Sequence, residues 1–273
     1  MKIVSQTVTH IPQPTENHAE WLEKIGRVCY KSEDKITAGS AEKFLNMLVS
    51  NGHTSVLEHL YFTVMYGYGS LHSVYFRHDG DKVISGNVRT IYEAYKSNGR
   101  KIDIDIPTII QLYSGSHIQM SDMIHSAETF HIVTDRATSH ELVRHRTASI
   151  SMESQRYCVY SKDKFGGEVT FIQPIGMIEG EFSQSEWKKI CENTERSYFA
   201  LLRGNKPEIA RSVLPNSTKT ELYMTCRLKD WKHFLDLRLS PKAAPQIRNI
   251  AEKIQIVLKE KYPEFSDNVY RNE

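Results

Sequence analysis

The sequence predicts an α+β fold in which a mixed or antiparallel sheet is flanked by helices. Helical patterns, with apolar residues at spacings of three and four, are interspersed with short strand patterns and show no regular strand–helix rhythm. Residues 220–229 alternate between apolar and polar side chains, which indicates a half-buried strand with one polar face. We expect a single domain over residues 1–273, with an insertion at about 66–126.

The helices are predicted from their ends and from their apolar faces. Residues 15–30 read as a helix capped by Thr15, and residues 40–51 as a second one that begins at Ser40 and is ended by Gly52. Apolar spacing and Pro107 support further helices, which we predict over 87–97, 107–113, 187–202 and 247–258.

The strands and the candidate functional loop follow from aromatic and β-branched content. Residues 59–68 are predicted as a strand, and 130–133 as another that leads into a short helix through His145. The polar segment 147–163 has little periodicity. We therefore interpret it as a functional loop.

Composition excludes several classes of protein. The chain has 35 Lys and Arg against 33 Asp and Glu, a formal charge of +2, so no strongly basic surface for nucleic acid is expected. No apolar run is long enough to cross a membrane and the first residues do not resemble a secretory signal, so we expect a cytoplasmic protein. The four cysteines lack metal-ligand spacing, and His140-Glu141 begins an HExxH-like pattern whose second histidine falls one residue late. We expect no metal site.

The densest chemical signal is Arg144-His145-Arg146, followed after seven residues by Ser154-Gln155-Arg156-Tyr157. Several cations and a hydroxyl near one loop suit a phosphate-bearing ligand. Because consecutive helical residues point about 100° apart, 144–146 cannot all grip one small anion and would contact different parts of an extended ligand or two ligands. A solvated basic helix end is the alternative interpretation.

Arg238 is a second and independent signal. In the helix predicted from Asp230 it shares a face with Trp231 and Phe234, the face that is meant for burial. Since a buried guanidinium needs a partner, the sequence implies either an internal carboxylate or a ligand. Arg211, in a short helix that Pro207 is predicted to open, is a candidate for a further guanidinium in the same region.

These residues resemble the signatures of the flavin-dependent thymidylate synthases. The segment RHRTASISMESQRY (144–157) is similar to that family's RHR-seven-residues-Ser signature. Three more segments are similar to family motifs and occur in the same order: GHTSVLEH (52–59), ARSVLP (210–215) and HFLDLR (233–238). The resemblance leaves mainly 66–126 unmatched.

The resemblance implies an FAD-dependent thymidylate synthase that methylates dUMP to dTMP. Methylenetetrahydrofolate would donate the carbon, reduced flavin the hydride, and NADPH would reduce the flavin, with no covalent enzyme nucleophile. It also implies a homotetramer in which FAD and dUMP bind at subunit interfaces.

Site residues are carried over position by position. The resemblance implies that FAD is contacted by Ser55, Glu58, Arg144, His145, Arg146 and His233, with His53 on the folate or nicotinamide side. It implies that dUMP is bound by Glu141, Arg144, Ser154, Gln155, Arg156, Arg211 of a neighbouring chain, and Arg238. Arg238 would be the catalytic group, because a guanidinium in a dry pocket stabilises negative charge on the uracil ring and makes C5 more nucleophilic.

Some positions depart from the family pattern, and two alternatives stay open. Met152, Arg227, Lys229 and residues 242–246 differ from the usual motif, which affects expected cofactor contacts. Met152, Arg227 and Lys229 would suit a family relative that keeps the fold and the flavin but modifies another pyrimidine nucleotide. The second alternative is a non-enzymatic nucleic-acid-binding module, against which the near-neutral charge argues; its candidate contacts are Arg144, Arg146, Arg156, Lys162, Tyr157 and Tyr160.

Overall fold

In a computed structural model of the protein, the described residues are 1–65, 83–97, 105–117, 123, 125–177 and 180–265. They form the predicted α+β fold. The strands are β1 (Lys2–Val4), β2 (Thr7–Ile11), β3 (Tyr61–Met65), β4 (Val83–Asn87), β5 (Ala127–Asp135), β6 (Ser149–Met152), β7 (Thr170–Ile172) and β8 (Lys219–Arg227). The α-helices are α1 (His18–Arg27), α2 (Ser40–Ser50), α3 (Val88–Ser97), α4 (Ile106–Ser114), α5 (Arg136–Leu142), α6 (Glu181–Leu202), α7 (Pro207–Ala210), α8 (Leu228–Arg238) and α9 (Pro245–Lys261).

An antiparallel sheet of four strands, in the order β2-β5-β8-β6, forms the centre of the fold. In its register Met224 of β8 lies between Phe130 of β5 and Ile150 of β6. Two smaller sheets accompany it, one of β1 and β7 in parallel and one of β3 and β4 in antiparallel. β8 pairs with β5 along its whole length and with β6 on its other side, so it is a central strand of the sheet. Lys219 and Arg227 stand at its two ends.

The main core lies between this sheet and the helices α8 and α9. Phe130, Leu222 and Met224 point to it from the strands, and Trp231 and Phe234 from α8; all are at most 1% exposed. The Trp231 indole N–H also donates to the backbone carbonyl of Glu128, 3.0 Å away. This packing fixes the position of α8 on the sheet, and with it the helix end at which Arg238 stands.

The strand predicted over 220–229 is confirmed as β8, although 228 and 229 already belong to α8, and the prediction that it is half-buried is wrong. Its polar side is covered as well: Glu221, Tyr223 and Thr225 are 7%, 6% and 0% exposed. The Thr225 hydroxyl bonds to His59 Nδ1 at 2.7 Å and to the Thr129 hydroxyl at 2.7 Å. The alternation of apolar and polar residues indicated two chemically different faces. The polar face can nevertheless be buried, because its side chains find hydrogen-bond partners inside the protein.

Three local predictions need correction. The first helix starts at His18 after Asn17, which adopts a left-handed conformation, so Thr15 does not cap it. The helix after β5 ends at Leu142, so 144–146 lie in the turn beyond it. The segment 147–163 contains β6, whose small polar residues hid its strand character.

A second core joins the N-terminal helices to the described part of 83–117. Phe44 and Leu48 of α2 pack with Ile91 of α3 and Ile109 of α4, all at most 5% exposed. The helices predicted over 87–97 and 107–113 are confirmed, and Asp105 caps the second through the Thr108 N–H. The insertion at about 66–126 stays a prediction, and its segments 66–82, 98–104, 118–122 and 124 lie outside the described residues. Across the described ranges, no helix combines the length and the apolar character that spanning a membrane requires.

Candidate active site

The side chain of Arg238, in the last turn of α8, is held by the end of α5 and the turn that follows it. Its Nη1 lies 2.9 Å from Glu141 Oε2, its Nη2 donates to the Glu141 carbonyl at 3.3 Å, and its Nε donates to His145 Nε2 at 3.0 Å. The Arg238 side chain is 20% exposed. Of the two partners that the sequence left open, an internal carboxylate is therefore present, and Arg238, Glu141 and His145 form one connected group.

His145 is a neutral imidazole with a defined tautomer. Because Arg238 Nε–H is the donor, His145 Nε2 must accept, which leaves the ring proton on Nδ1. Burial, together with the charges of Arg238 and His233, lowers the pKa of His145 to about 4. Phe234 meets the ring edge to face at a centroid distance of 4.8 Å. The group therefore combines one fixed cation with an uncharged ring.

Arg144 and Arg146 flank His145 in the turn and are both exposed. Among the described residues neither guanidinium has a hydrogen-bond or ion-pair partner. His233 is also exposed, on the outer face of α8. Cations without internal acceptors beside a half-buried imidazole are donors suited to an extended anionic ligand.

The segment that contains His53, Ser55 and Glu58 is anchored to the central sheet by His59. Thr54–His59 is a short 3-10 helix, and the His59 ring bonds to the hydroxyls of Thr225 and Ser151, the latter at 3.0 Å. Burial lowers the pKa of His59 to about 3, so the ring is neutral. This anchoring histidine was missed as a site-forming residue, although it is the last residue of the matched motif 52–59.

The three predicted site residues of this segment face outward. His53 and Ser55 are exposed, and His53 Nδ1 lies 3.2 Å from the Tyr30 hydroxyl. Glu58 forms an ion pair with Arg89 of α3. Helix α3 thus contacts a predicted cofactor residue directly.

The loop after β6 presents Ser154, Gln155 and Arg156. The Ser154 N–H donates to the Cys29 carbonyl at 3.1 Å, and its own carbonyl accepts from the N–H of Cys158 at 2.9 Å. Arg156 is exposed, with its guanidinium 5.6 Å from the Tyr157 ring centroid. Gln155 Nε2 is buried and makes no hydrogen bond of standard geometry in the described chain, although the Gln155 amide lies close enough to the Tyr160 hydroxyl to lower the pKa of Tyr160. A buried amide with incomplete hydrogen bonding beside an exposed cation suits an acceptor that arrives with a ligand.

Arg136 is a candidate that sequence reasoning missed. It opens α5 and is half-buried, yet its only side-chain hydrogen bond in the described chain goes to the thioether of Met152, at 3.7 Å. Its backbone N–H bonds to the carbonyls of Asn216 and Thr218, which follow Arg211. Burial lowers the pKa of Arg136, and the nearby charge of Arg211 adds to this decrease, although Tyr160 and Glu153 oppose it. Two nearby guanidiniums that form no ion pair with a carboxylate in the described chain are suited to an anionic ligand.

Asp135 is the residue in the sequence from which Arg136 could have been identified as a candidate. Its carboxylate caps α5 by accepting from the Thr138 N–H at 2.7 Å. An Asp directly after a strand pattern predicts a helix start. Applied there, the rule would have placed Arg136 at the first helical position, beside the end of β5.

Two groups of predicted site residues can be distinguished within the chain. Arg238, Glu141 and His145 form the first, and Ser154, Gln155 and Arg156 the second. In the described portion of the chain, no hydrogen bond or ion pair joins the two groups, and Arg211 is near enough to Arg136 of the same chain for its charge to lower the pKa of Arg136. A ligand that contacts both groups would have to bridge them.

The departures from the family pattern have structural uses. Met152 supplies the sulfur that contacts Arg136. Arg227 donates to the Ser85 carbonyl at 3.3 Å and lies over the Tyr61 ring, so it binds the β3–β4 hairpin. Gln246 accepts from the Ile175 N–H and donates to Asp135, whereas Lys229 and Lys242 are exposed. Within the described ranges, no cluster of three or more His, Cys, Asp or Glu side chains is placed to bind a metal ion.

Comparison with known proteins gives the chain its relatives. A family model described as thymidylate synthase complementing protein matches residues 11–78 and 74–264. The flavin-dependent thymidylate synthase of Thermococcus kodakarensis is 35% identical over 158 residues, 57% of this chain and 63% of that protein. The enzyme of the same name from Pyrococcus furiosus is 37% identical over 132 residues, 48% and 53% of the two chains, and that from Thermus thermophilus 30% over 190 residues, 65% and 70%. The chain thus spans between half and two thirds of the length of the first two relatives.

Among solved structures, the UMP/dUMP methylase PolB from Streptomyces cacaoi, bound with 5-Br dUMP, is 21% identical with a TM-score of 0.48. That comparison covers 97% of this chain and 95% of the other. The family model, in contrast, matches most of the sequence, including all four segments around which the two residue groups are built. This chain therefore belongs to the thymidylate synthase complementing protein family.

Proposed function

We propose that the protein is a flavin-dependent thymidylate synthase, which methylates dUMP to dTMP with methylenetetrahydrofolate as carbon donor and reduced FAD as hydride donor. Family membership and the names of the relatives support this proposal. The observation that carries it is Arg238, whose side chain is 20% exposed and whose guanidinium is oriented by Glu141 and His145. The side chain remains partly accessible at the end of α8, where an incoming ligand can meet it.

Arg238 would act on the uracil ring as an electrostatic catalyst. Negative charge that develops at N3 and O2 of uracil is stabilised by a guanidinium in a partly dry site, and this makes C5 more nucleophilic. The carboxylate of Glu141 and the lone pair of His145 fix the guanidinium plane before substrate arrives. Arg238 therefore needs no reorientation during the reaction.

The residues assigned to FAD are chemically suited to it. Arg144 and Arg146 are exposed cations for which the described residues offer no acceptor, and this fits the diphosphate of a dinucleotide. In this proposal Ser55, Glu58 and His233 also contact the FAD, and His53 lies on the folate or nicotinamide side. His145 contacts the FAD as a neutral ring with its proton on Nδ1. When bound, the flavin supplies the hydride, and NADPH serves as its reductant.

The phosphate of dUMP is assigned to the second group and to the Arg136–Arg211 pair. Gln155 Nε2 makes no hydrogen bond of standard geometry in the described chain, and neither guanidinium forms an ion pair with a carboxylate there. A phosphate monoester has acceptor oxygens for all three side chains. Ser154 and Arg156 would add a hydroxyl and an exposed cation from the same loop.

We further propose a homotetramer with shared active sites, which is consistent with the lack of a hydrogen bond or ion pair between the two groups in the described chain. Residues from neighbouring copies would complete each site, and Arg211 would either serve its own chain or reach a neighbour's dUMP. Phe182, Ile190 and Ile209 are 79%, 56% and 54% exposed, and such apolar surface suits burial against another copy. The proposed setting is the cytoplasm.

No side chain needs to attack the substrate in this mechanism. Cys158 is fully buried, and burial, with a contribution from the charge of Glu153, raises its pKa to about 12. A thiol in this state is a poor nucleophile at neutral pH. Ser154 is assigned to binding, because its hydroxyl lies 3.4 Å from the Arg156 N–H and has no general base beside it in the described residues.

The test is release of tritium from C5-labelled dUMP by the protein supplied with FAD, NADPH and methylenetetrahydrofolate. We expect release together with dTMP formation, and a visible flavin spectrum that responds to dUMP. Labelled UMP is assayed in parallel: release from UMP alone would identify a relative that modifies another nucleotide. A colourless protein that releases no tritium and binds RNA with a steep salt dependence would instead support the nucleic-acid-binding alternative.

Arg136 is tested separately with Arg136→Ala. We expect the KM for dUMP to rise by about 10- to 100-fold, because a charge-assisted phosphate contact is lost. Arg248→Ala is the matched control: Arg248 is also half-buried, but it donates to the Pro241 carbonyl at 3.1 Å, on α9. Equal KM values for both variants would show that Arg136 does not bind the phosphate of dUMP.

A further inference from the structure

The loop that carries Ser154, Gln155 and Arg156 begins at a buried carboxylate. Glu153 is 1% exposed, and its side chain lies below the loop. Lys219 Nζ donates to Glu153 Oε2 at 2.8 Å, and the Tyr160 hydroxyl donates to Glu153 Oε1 at 3.2 Å. Both oxygens of a charged group are therefore satisfied inside the protein, by partners 66 and 7 residues away.

Lys219 connects this carboxylate to a larger network at the start of β8. It also forms an ion pair with Glu221, which accepts from His131 Nε2 at 2.9 Å and pairs with Lys31 at 2.9 Å. Burial opposes the charge of Lys219, but the charges of Glu153 and Glu221 outweigh it and raise the pKa of this lysine. The network thus ties the loop to the central sheet and to the turn after α1.

The backbone of the loop is fixed at the same point. The Glu153 N–H donates to the Glu221 carbonyl at 2.9 Å, and the Ser154 N–H donates to the Cys29 carbonyl at 3.1 Å. From there the chain turns, and the N–H of Tyr157 returns to the Ser154 carbonyl at 3.0 Å. The direction in which Ser154 and Gln155 leave the sheet is set at residue 153.

A buried ion pair is a poor source of stability. Desolvation of the two charges largely cancels their attraction, and apolar residues of similar volume often stabilise a protein as well or better. What a hydrogen-bonded ion pair adds is a fixed orientation, since a carboxylate accepts along defined directions and an apolar side chain does not. An orientation matters most beside a group that has to meet a ligand.

We propose that Glu153, Lys219 and Tyr160 are positioning residues for the nucleotide-binding loop, and that they hold Ser154, Gln155 and Arg156 in the geometry that receives the phosphate and sugar of dUMP. None of the three touches the substrate in this role. The inference rests on the proposed function, because it assigns a purpose to the same loop. It predicts that removal of the network weakens nucleotide binding more than it slows the reaction of bound nucleotide.

The chain contains a matched control at another point of the sheet. Glu128 of β5 is 3% exposed and bonds to Lys261 and to the hydroxyl of Tyr262, so it repeats the same Glu–Lys–Tyr composition. His10 adds a further bond to it at 2.5 Å. This second network contacts none of the predicted site residues through a hydrogen bond or ion pair in the described part of the chain. It separates a general effect of losing a buried ion pair from an effect on the loop.

The experiment compares two double variants of the full chain, Glu153→Gln/Lys219→Met and Glu128→Gln/Lys261→Met. Both remove a charge pair without leaving an unpaired buried charge, and both keep side-chain volume. We measure the KM for dUMP, the kcat at saturating dUMP, the flavin content and the Tm. In the first variant we expect the KM to rise about tenfold or more while kcat stays within about threefold, because a small displacement of binding groups costs this much. In the control we expect a change in Tm and less than about twofold in KM.

Single variants keep the test decisive if a double variant does not fold. Tyr160→Phe removes one hydroxyl, and we expect it to raise the KM by about threefold, whereas Tyr262→Phe leaves the KM unchanged. Lys219→Arg, which retains the charge, should retain most of the affinity of the wild type for dUMP. A KM that stays constant in the Glu153 and Tyr160 variants, or that rises equally in the controls, overturns the positioning role. If the wild-type protein itself neither binds nor converts dUMP, the proposed function has failed, and the inference with it.

Discussion

Replacing Arg238 by alanine removes the cation on which the proposed chemistry depends. The change deletes an ion pair to Glu141 and a hydrogen bond to His145 Nε2, with the two distances at 2.9 and 3.0 Å. It also removes a positive charge that contributes to the low pKa of His145. Both partners remain in place, since they belong to α5 and to the turn after it.

The effect on stability follows from the exposure of the partners. Glu141 is 36% exposed, so solvent screens the ion pair and its contribution is at most about 1 kcal/mol. The hydrogen bond to His145 adds about 1 kcal/mol. A total loss of about 2 kcal/mol would lower the Tm by roughly 4 to 8 °C in a chain of this size. The protein should therefore remain folded at assay temperature.

The effect on turnover is expected to be much larger. Loss of one group that stabilises developing charge costs about 100-fold or more in kcat. The assay is tritium release from C5-labelled dUMP at saturating substrate, together with flavin content from the visible spectrum. Flavin content should change little, because Arg144 and Arg146 are retained. In Arg238→Lys we expect partial turnover, since the charge returns without the planar fork.

Turnover of Arg238→Ala within about threefold of the wild type would refute the reasoning, given the 100-fold loss expected from charge stabilisation. A loss of flavin in proportion to the loss of activity would also contradict it, because Arg238 would then serve the cofactor. His145 gives an independent check by NMR titration. Its pKa, about 4 in the wild type, should rise in the variant because a neighbouring positive charge is gone.

Three further outcomes are expected. His59 is neutral in the folded protein, where its pKa is lowered to about 3, whereas an unfolded histidine takes up a proton near pH 6.5. The free energy of unfolding should therefore fall by about 1 kcal/mol as the pH drops from 6.5 to 5.5, with no such loss above pH 6.5. Thermal unfolding of the wild type and of His59→Gln measures this, and a constant Tm would contradict it. Cys158→Ala should keep turnover within about twofold, and the native thiol should resist a thiol reagent at pH 8, since its pKa is raised to about 12. Trp231→Ala should cost about 4 kcal/mol in urea unfolding, against little change for the exposed Lys232→Ala; equal values would place Trp231 outside the core.

Local sequence patterns predicted the elements whose apolar periodicity is strong. The helices near 187–202 and 247–258 were found, as were the short helix opened by Pro207 and the burial of Trp231 and Phe234. The polar elements were harder. Strand β6 was interpreted as a loop because Ser149 and Ser151 are small and polar, yet they are 4% and 3% exposed and turn toward hydrogen-bonding partners.

By itself, the sequence determined that a guanidinium stands on the buried face of α8, because helical periodicity relates residues only three, four and seven positions apart. The tertiary structure decided which carboxylate meets it: Glu141 lies 97 residues away along the chain. The same holds for the polar face of β8, whose burial depends on His59, 166 residues from Thr225. It holds also for Arg136 and Arg211, which only the fold brings together. A local pattern reports the direction of a side chain, whereas its partner is set by long-range packing, which no local period encodes.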